Sequence, residues 1–423
     1  MQDIFRQLKM IVSDRVLRNR TMFLLGALIV FRALAAIPLP SIDTSKLAQF
    51  FVNNQFLGLL NIFSGGGLDN LSIVMLGVGA YITATIIMQL MTILSPKLKA
   101  MYHEEGEAGR RKFSQWSRVL SVPFAFIQGF GLITLLSHQG IISQMSAEQL
   151  WLNLLIITGG SILLMWVCEL ISEFGIGNGV SLIIFAGIVA SLPSVVSQLV
   201  FTFDPAQIPL YLGFLLVALI IVAGVVFVTE AERSIPITYS KQIRGGKLYG
   251  GTTTYLPLRL NQSGVIPIIF ALSMLLLPQM IANFITGINN PAVQAIVSTI
   301  NNFMNNMWAY GATYFVLVFV FTYFYTAITF EPDTVSENLQ KSGAFIPGIR
   351  PGNHTTEYLA TIVTRITFVG ALFLAVIAVL PIVMQGITGI KTLAIGGTGL
   401  LIVVSVVLDL IKKVDAQIAA REY

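Results

Sequence analysis

The chain has 423 residues, of which 55% are hydrophobic and 11% are charged, with a mean hydropathy of +0.81 and a formal net charge of +5. Soluble domains average about 25% charged residues, so this composition excludes an ordinary soluble protein and predicts an all-α, polytopic membrane protein. The one cysteine, Cys168, lies in an apolar run and excludes an intrachain disulfide.

The N-terminal segment MQDIFRQLKMIVSDRVLRNR alternates charged and apolar side chains. It contains no long apolar run followed by a small-residue cleavage site, so we do not expect a removable signal peptide. We expect a basic amphipathic helix that lies on the membrane surface.

Ten apolar runs follow. Each is close to the length of ~20 residues that a helix needs to cross a bilayer. They are 22–37, 72–94, 116–137, 152–171, 180–199, 208–228, 264–286, 307–330, 362–385 and 393–411. A short connection in the middle divides them into two sets of five, and an odd number makes the second set enter from the opposite face. We therefore predict two inverted halves, 1–204 and 205–423.

Lys and Arg are concentrated in alternate connections between the predicted spans. One side holds all but three of the 25 Lys and Arg, the exceptions being Arg32, Lys46 and Lys391. Because cationic loops stay in the cytoplasm, both termini and the long loops at about 230–262 and 331–361 are expected on the cytoplasmic side. Gly and Pro in these loops favour protruding hairpins.

Between the first two spans lies a stretch that is too short to cross the membrane and contains three consecutive glycines. Its residues are Asn61, Ile62, Phe63, Ser64, Gly65, Gly66, Gly67, Leu68, Asp69 and Asn70. By themselves these residues favour an ordinary outer loop, and a mobile half-length helix is the alternative.

The sequence shows no motif for catalysis, a nucleotide or a metal. His103, His138 and His354 lie in three different loops, and GIGNG at 175–179 lacks the preceding strand of a dinucleotide site. We therefore predict no enzyme activity and no cofactor.

The predicted helices contain charges only near their ends, and many branched aliphatic side chains. An interfacial role is expected for the charges in or beside the spans, namely Arg32, Glu169, Glu331, Arg365 and Asp409. The aliphatic side chains have two interpretations, tight helix packing or a constriction that excludes water and ions. Periodicity does not separate these interpretations.

Five strings of the sequence resemble the bacterial SecY family of protein-conducting channels. They are GEAGRRKFSQWSR at 106–118, EFGIGNGVSLIIFAGIVA at 173–190, YLPLRLNQSGVIPIIFA at 255–271, GAFIPGIRPG at 343–352 and GGTGLLIVVSVVLD at 396–409. The resemblance implies a channel of the general secretory pathway in the bacterial cytoplasmic (inner) membrane. Such a channel passes unfolded polypeptides and releases apolar segments sideways into lipid.

The same resemblance implies roles for particular residues. A ring of aliphatic side chains is expected to close the pore, formed by Ile82, Ile86, Ile184, Ile269 and Ile402, with Val180 as a sixth candidate and Leu401 as the competitor of Ile402. Residues 61–70 resemble the plug that sits in the outer funnel. Spans two and three facing seven and eight resemble a lateral gate, with Gln128 and Ser273 as its polar candidates.

Partners follow from the resemblance as well. Arg244 and Arg350, at the tips of cytoplasmic loops, resemble docking sites for the ribosome or the motor ATPase SecA, and arginine suits bidentate pairing with carboxylate or phosphate. The small membrane subunits SecE and SecG, signal sequences and unfolded preproteins are the other expected partners. The competing class is an inverted-repeat secondary transporter of a small solute. It would need an ionisable group near the midplane, and the sequence supplies none.

Overall fold

The structure is a computed structural model that describes residues 13–40, 61, 64–68, 70–138, 142, 146–201, 208–239, 242–244, 247–249, 253–285, 290–388 and 391–422. Most of the predicted N-terminal surface helix, residues 1–12, lies outside the described residues. Ile62, Phe63 and Asp69 of the predicted plug also lie outside them.

The described part of the chain begins with helices. They are α1 Arg15–Ala35, α2 Gly79–Leu94, α3 Pro96–His103, α4 Gly106–His138, α5 Ala147–Phe174, α6 Gly179–Phe201 and α7 Ile208–Glu230. Side chains satisfy the free backbone N–H groups where α1 and α5 begin. Oδ1 of Asp14 accepts a 2.8 Å hydrogen bond from the N–H of Val16, and Ser146 and Gln149 form a reciprocal capping box.

Strands and further helices follow α7. They are β1 Glu232–Tyr239, β2 Gln242–Arg244, β3 Lys247–Tyr249, β4 Thr253–Arg259, α8 Ile266–Ile285, α9 Pro291–Asn305, α10 Met307–Thr329, α11 Pro332–Lys341, β5 Ala344–Phe345, α12 Asn353–Thr388 and α13 Lys391–Glu422. β1 pairs antiparallel with β4 and with β5, and β2 pairs antiparallel with β3. The hairpin predicted in the loop at 230–262 is thus confirmed.

Each of the ten predicted spans coincides with a helix. Within the described residues, five helices are long and apolar enough to cross a membrane, and they fall on α4, α5, α7, α10 and α12. A sixth is present if α2 and α3, which are bent by 116° at the break between them, form one span. α6 and α8 contain shorter apolar helices.

The predicted start of the second span is wrong by about two turns. α2 begins at Gly79, whereas residues 71–78 form turns. Their backbone pairs with the segment after α1, since Leu39 donates to Leu71 (2.9 Å) and Ile73 donates to Ile37 (3.0 Å). Apolar composition extends the predicted span to residue 72, but these backbone groups have partners outside any helix.

The chain divides by contacts into two compact units. The first contains Met1–Phe214, Leu272–Tyr310 and Pro381–Tyr423, and the second contains Leu215–Ala271 and Gly311–Leu380. In the first unit α2 packs on α4, α4 on α5, α5 on α6, and α6 on α13. The predicted inverted halves are a relation of topology, which this division does not test, and they stay a prediction.

The second unit has a hydrophobic core beneath its sheet. Side chains from β1, β4, the residue after β5 and the first half of α12 form it, and its buried members are Ile235, Leu258, Ile346, Leu359, Ile362, Val363 and Ile366. The sheet is therefore packed on α12. The loop that follows its edge strand β5 begins in this core.

Candidate functional site

Two of the predicted ring side chains lie on α2. Ile82 and Ile86 are 4% and 3% exposed. Their spacing of four residues puts them on one face of the helix, one turn apart. This face is therefore an apolar strip in the interior of the first unit.

The helices α6 and α13 pack as an antiparallel pair. A Cβ atom built on Gly177 would lie 3.7 Å from a methyl group of Leu410, and one built on Gly399 would lie 3.1 Å from Ile188. The two helices therefore run in opposite directions.

Interpolation between these two contacts puts Ile184 and Ile402 at the same level of the pair, and both are 0% exposed. Leu401 is also buried, at 1% exposed, so burial does not separate it from Ile402. Helix geometry does, because Ile402 lies three residues from Gly399, on the face towards α6, whereas Leu401 is about 200° around the helix from Gly399. Ile402 is the better neighbour for Ile184.

The other two ring candidates are placed differently. Val180 lies in the first turn of α6 and is half-buried. Ile269 lies in the first turn of α8, in the second compact unit, and is 4% exposed. The closure of these side chains into one ring stays a prediction.

The glycine stretch after α1 forms a compact turn. The hydroxyl of Ser64 accepts a 3.1 Å hydrogen bond from the N–H of Leu68 and donates to the carbonyl of Asn61 (3.0 Å). Gly65 and Gly66 have φ values of +65° and +81°, which only glycine adopts at little cost. Its described residues 64–68 are buried, and Leu68 is 0% exposed, so these five residues are not part of a solvated loop.

This turn is seated between α1 and α6. A Cβ atom built on Gly187 of α6 would overlap the backbone of Gly65, and one built on Gly65 would overlap the ring of Phe31 on α1. Gly187 is three residues after Ile184, on a neighbouring part of the same helix face. The glycine turn therefore lies within about one helical turn of Ile184, and we call Phe31, Gly65 and Gly187 the glycine seat.

A charged side chain of α1 also contacts the turn. Nη1 of Arg32 donates a 3.3 Å hydrogen bond to the carbonyl oxygen of Gly65. The amide of Asn70 donates to the carbonyl of Ala35 (3.4 Å). Sequence reasoning gave Arg32 only an interfacial role, since the chain pattern carries no sign of a contact across 33 residues.

The gate candidates Gln128 and Ser273 are each 5% exposed. Nε2 of Gln128 on α4 donates a 3.3 Å hydrogen bond to Oγ1 of Thr83 on α2. Thr83 was not predicted as a site residue, although it directly follows Ile82. A threonine hydroxyl facing a glutamine inside a membrane bundle joins the two helices.

Two of the charges predicted near the ends of spans have ionic partners. Glu169 pairs with Arg118 at 2.5 Å, and Asp409 pairs with Lys413 at 2.7 Å. In the described residues, no three His, Cys, Asp or Glu side chains lie close enough to hold a metal ion.

Both predicted docking arginines lie at turns. Arg244 is the last residue of β2. Arg350 is exposed in the loop between β5 and α12, and its carbonyl oxygen accepts a 2.9 Å hydrogen bond from the hydroxyl of Thr355. Ser336 on α11 donates to the carbonyl of Gly352 (2.9 Å), so the loop backbone is held from two sides while the guanidinium is exposed.

Comparison with known proteins identifies the class: the chain is similar in sequence and fold to subunits of membrane protein translocases. The family model of SecY matches residues 72–411. The protein translocase subunit SecY of Synechocystis sp. is 42% identical over 96% of this chain and 93% of its own length. The SecY subunit of Halalkalibacterium halodurans is 40% identical over 99% of both chains.

Solved structures show the same fold. A protein-conducting channel superimposes with a TM-score of 0.67 at 17% identity, covering 95% of this chain and 93% of the other. A SecY structure described for its plug domain gives 0.66 at 16% identity, with the same coverage. The ten predicted spans correspond to the ten membrane helices of this fold.

The chain therefore belongs to the SecY family. Members of this family are membrane-embedded subunits of protein translocases, and the family is one of channels rather than of enzymes. The prediction of a protein-conducting channel is confirmed, and the competing class of solute transporter is excluded by family membership.

Proposed function

We propose that this chain keeps its resting pore closed by seating residues 61–70 beside an aliphatic ring and opens it by releasing them. The proposal is supported above all by the glycine seat, where the backbones of Gly65 and Gly187 meet without a side chain between them. A plug must fit closely in the closed state and still be able to leave. Close backbone contact with few hydrogen bonds meets both requirements.

The aliphatic side chains supply the second part of the closure. In this proposal, the narrowest part of the pore is lined by Ile82, Ile86, Ile184, Ile269 and Ile402, with Val180. Hydrocarbon offers an ion no replacement for its hydration shell. By a simple Born estimate, the loss of that shell in a low-dielectric medium costs roughly 20 kcal/mol. The same side chains make no directional bonds, so a polypeptide of any sequence passes between them.

The proposed lateral gate opens between a pair of helices that stay joined and the helices that face this pair. The hydrogen bond from Gln128 to Thr83 joins α4 to α2, so these two helices act as one side of the gate, and Ser273 on α8 lies on the other side. A substrate segment with ten Leu or Ile gains about 3–6 kcal/mol on entering lipid. This gain is larger than the net ~1 kcal/mol of a single polar contact across the gate.

The energy for movement comes from partners, because the family contributes no catalytic centre. Arg244 and Arg350 are the proposed contacts for SecA or the ribosome, and SecE and SecG are the proposed membrane partners. Sec61 and Ssh1, whose chains have the same fold with TM-scores of 0.64 and 0.62, were solved in complexes with ribosomes. With the basic loops inside, both termini of this chain lie in the cytoplasm and the membrane is the bacterial inner membrane.

Reconstitution tests this function. Proteoliposomes that contain the full chain with SecE and SecG receive SecA, ATP and a preprotein, and the preprotein that becomes resistant to external protease is measured. We expect ATP-dependent protection, and a preprotein with an added apolar segment should become integrated in the lipid. Vesicles without this chain are the control, and equal protection in both would refute the function.

A further inference from the structure

The helix α9 has no role in the pore or in the docking loops. It joins α8 to α10, and its fifteen residues include no Asp, Glu, Lys or Arg. It begins cleanly, since Oδ1 of Asn290 accepts a 3.0 Å hydrogen bond from the N–H of Ala292 and Pro291 occupies the first turn. An uncharged, well-capped helix between two membrane helices needs an explanation of its own.

Two contacts fix how α9 is rotated on the protein. Val297 is 9% exposed, and Oδ1 of Asn301 accepts a 2.8 Å hydrogen bond from Nε2 of Gln279 on α8. The two α9 residues are four apart, so they point in directions that differ by about 40°. The side of α9 that carries Val297 and Asn301 therefore faces the protein.

The two flanks beside this contact differ in polarity. One flank carries Ile296 and Phe303, which are 54% and 40% exposed and, seven residues apart, point within about 20° of each other. The other flank carries the exposed polar residues Gln294, Ser298 and Asn302. The first flank would be stabilised by an apolar medium and the second by water, and the boundary of a bilayer supplies both.

The position of α9 along the chain puts it at that boundary. Only Asn306 separates α9 from α10, which is one of the helices long and apolar enough to cross a membrane. Oδ1 of Asn306 accepts hydrogen bonds of 3.2 Å from the N–H groups of Trp308 and Ala309, so the junction is ordered. Trp308 is 68% exposed, and tryptophan is enriched at the membrane–water interface.

We propose that α9 lies in the membrane–water boundary, with Ile296 and Phe303 among the lipid acyl chains and Gln294 and Ser298 in water. The hydrogen bond to Gln279 then connects the C-terminal half of α8 to the lipid surface. This lipid contact needs only that α10 crosses the membrane, and it is independent of the roles proposed for the plug and the docking loops.

Fluorescence quenching tests the proposal with the full chain in phosphatidylcholine vesicles. An environment-sensitive fluorophore is attached to Ile296→Cys, Phe303→Cys, Gln294→Cys or Ser298→Cys. The wild-type chain, whose one cysteine Cys168 is 1% exposed, measures background labelling. All four positions are exposed, so the substitutions leave the packing intact, and gel filtration of each variant checks this.

We expect lipids with a spin label on the upper acyl chain to quench the 296 and 303 labels severalfold more strongly than those at 294 and 298. Aqueous iodide should give the reverse order. Equal iodide quenching at all four positions would show that both flanks face water and would overturn the proposal. Protection of 296 and 303 from both quenchers would show a protein partner there and would overturn it as well.

Discussion

Gly187 lies so close to Gly65 that a Cβ atom on Gly187 would overlap the backbone of Gly65, and a Cβ atom on Gly65 would overlap the ring of Phe31. Gly187 was within the string 173–190 that carried the family resemblance, but the sequence alone did not distinguish it from glycines such as Gly159. A built Cβ atom meets nothing within 4 Å at Gly159. The difference is that a distant segment of the chain packs against Gly187, and no segment within the described residues packs against Gly159. The periodicity of a sequence carries no information about such distant contacts.

This contrast gives a matched pair of variants. Gly187→Ala should displace the glycine turn and increase the resting ion leak of reconstituted vesicles severalfold, because the added methyl group overlaps the backbone of Gly65. Gly159→Ala gains the same ~1 kcal/mol of helix propensity without a clash, and it should leave the leak unchanged. Equal leaks in the two variants would remove the seat from the closure.

The aliphatic ring is tested in the same assay by changing polarity. The triple change Ile86→Ser, Ile184→Ser and Ile402→Ser should raise the resting ion conductance in planar bilayers, since hydroxyl groups partly replace the hydration shell of an ion. The control changes three exposed isoleucines, Ile29, Ile127 and Ile220, to serine. A ring variant as tight as this control would count against the ring.

At the scale of elements, the loop between β5 and α12 combines a fixed backbone with an exposed arginine. The turn rests on the core formed by β1, β4 and α12, and hydrogen bonds from Thr355 and Ser336 hold its carbonyl groups. A docking residue needs this arrangement, because a partner then meets a side chain whose backbone position is already set.

Arg350→Glu should reduce SecA-driven translocation strongly while the chain still inserts and folds, since the change reverses the charge at an exposed position. The measurement is protease protection of a preprotein at saturating ATP. Lys341→Glu, at the exposed end of α11, is the control with the same charge reversal, because it replaces a surface pair with Glu337 by two like charges, and each of these terms is worth only a few tenths of a kcal/mol. Normal transport by the Arg350 variant would exclude its docking role.

Long apolar helices were predictable from the sequence, and short elements were not. All ten spans were identified because ~20 apolar residues in a row have few other uses. The helices α3, α9 and α11 have 8, 15 and 10 residues and were missed, since no span-length apolar run marks them. The true start of α2 was missed because its preceding residues are equally apolar yet pair with the chain after α1.

For the whole molecule, the placement of Lys and Arg carries most of the information in the sequence. Of the 25 Lys and Arg, all but three are assigned to one side, and this bias predicted the orientation and the even number of spans. The pore ring was named only through resemblance, because a buried isoleucine of a ring and one of a packed bundle have the same spacing. Ile184 and Ile402 lie at one level only because α6 and α13 pack antiparallel.

The glycine seat also has a consequence for cells that pump protons outwards. The contacts that define it are made by backbone atoms and by the ring of Phe31, which contain no titratable group. None of these groups changes charge when the outer face of the membrane becomes acidic. In the proposed closure, the seal at the glycine seat therefore does not depend on the acidity of the outer side.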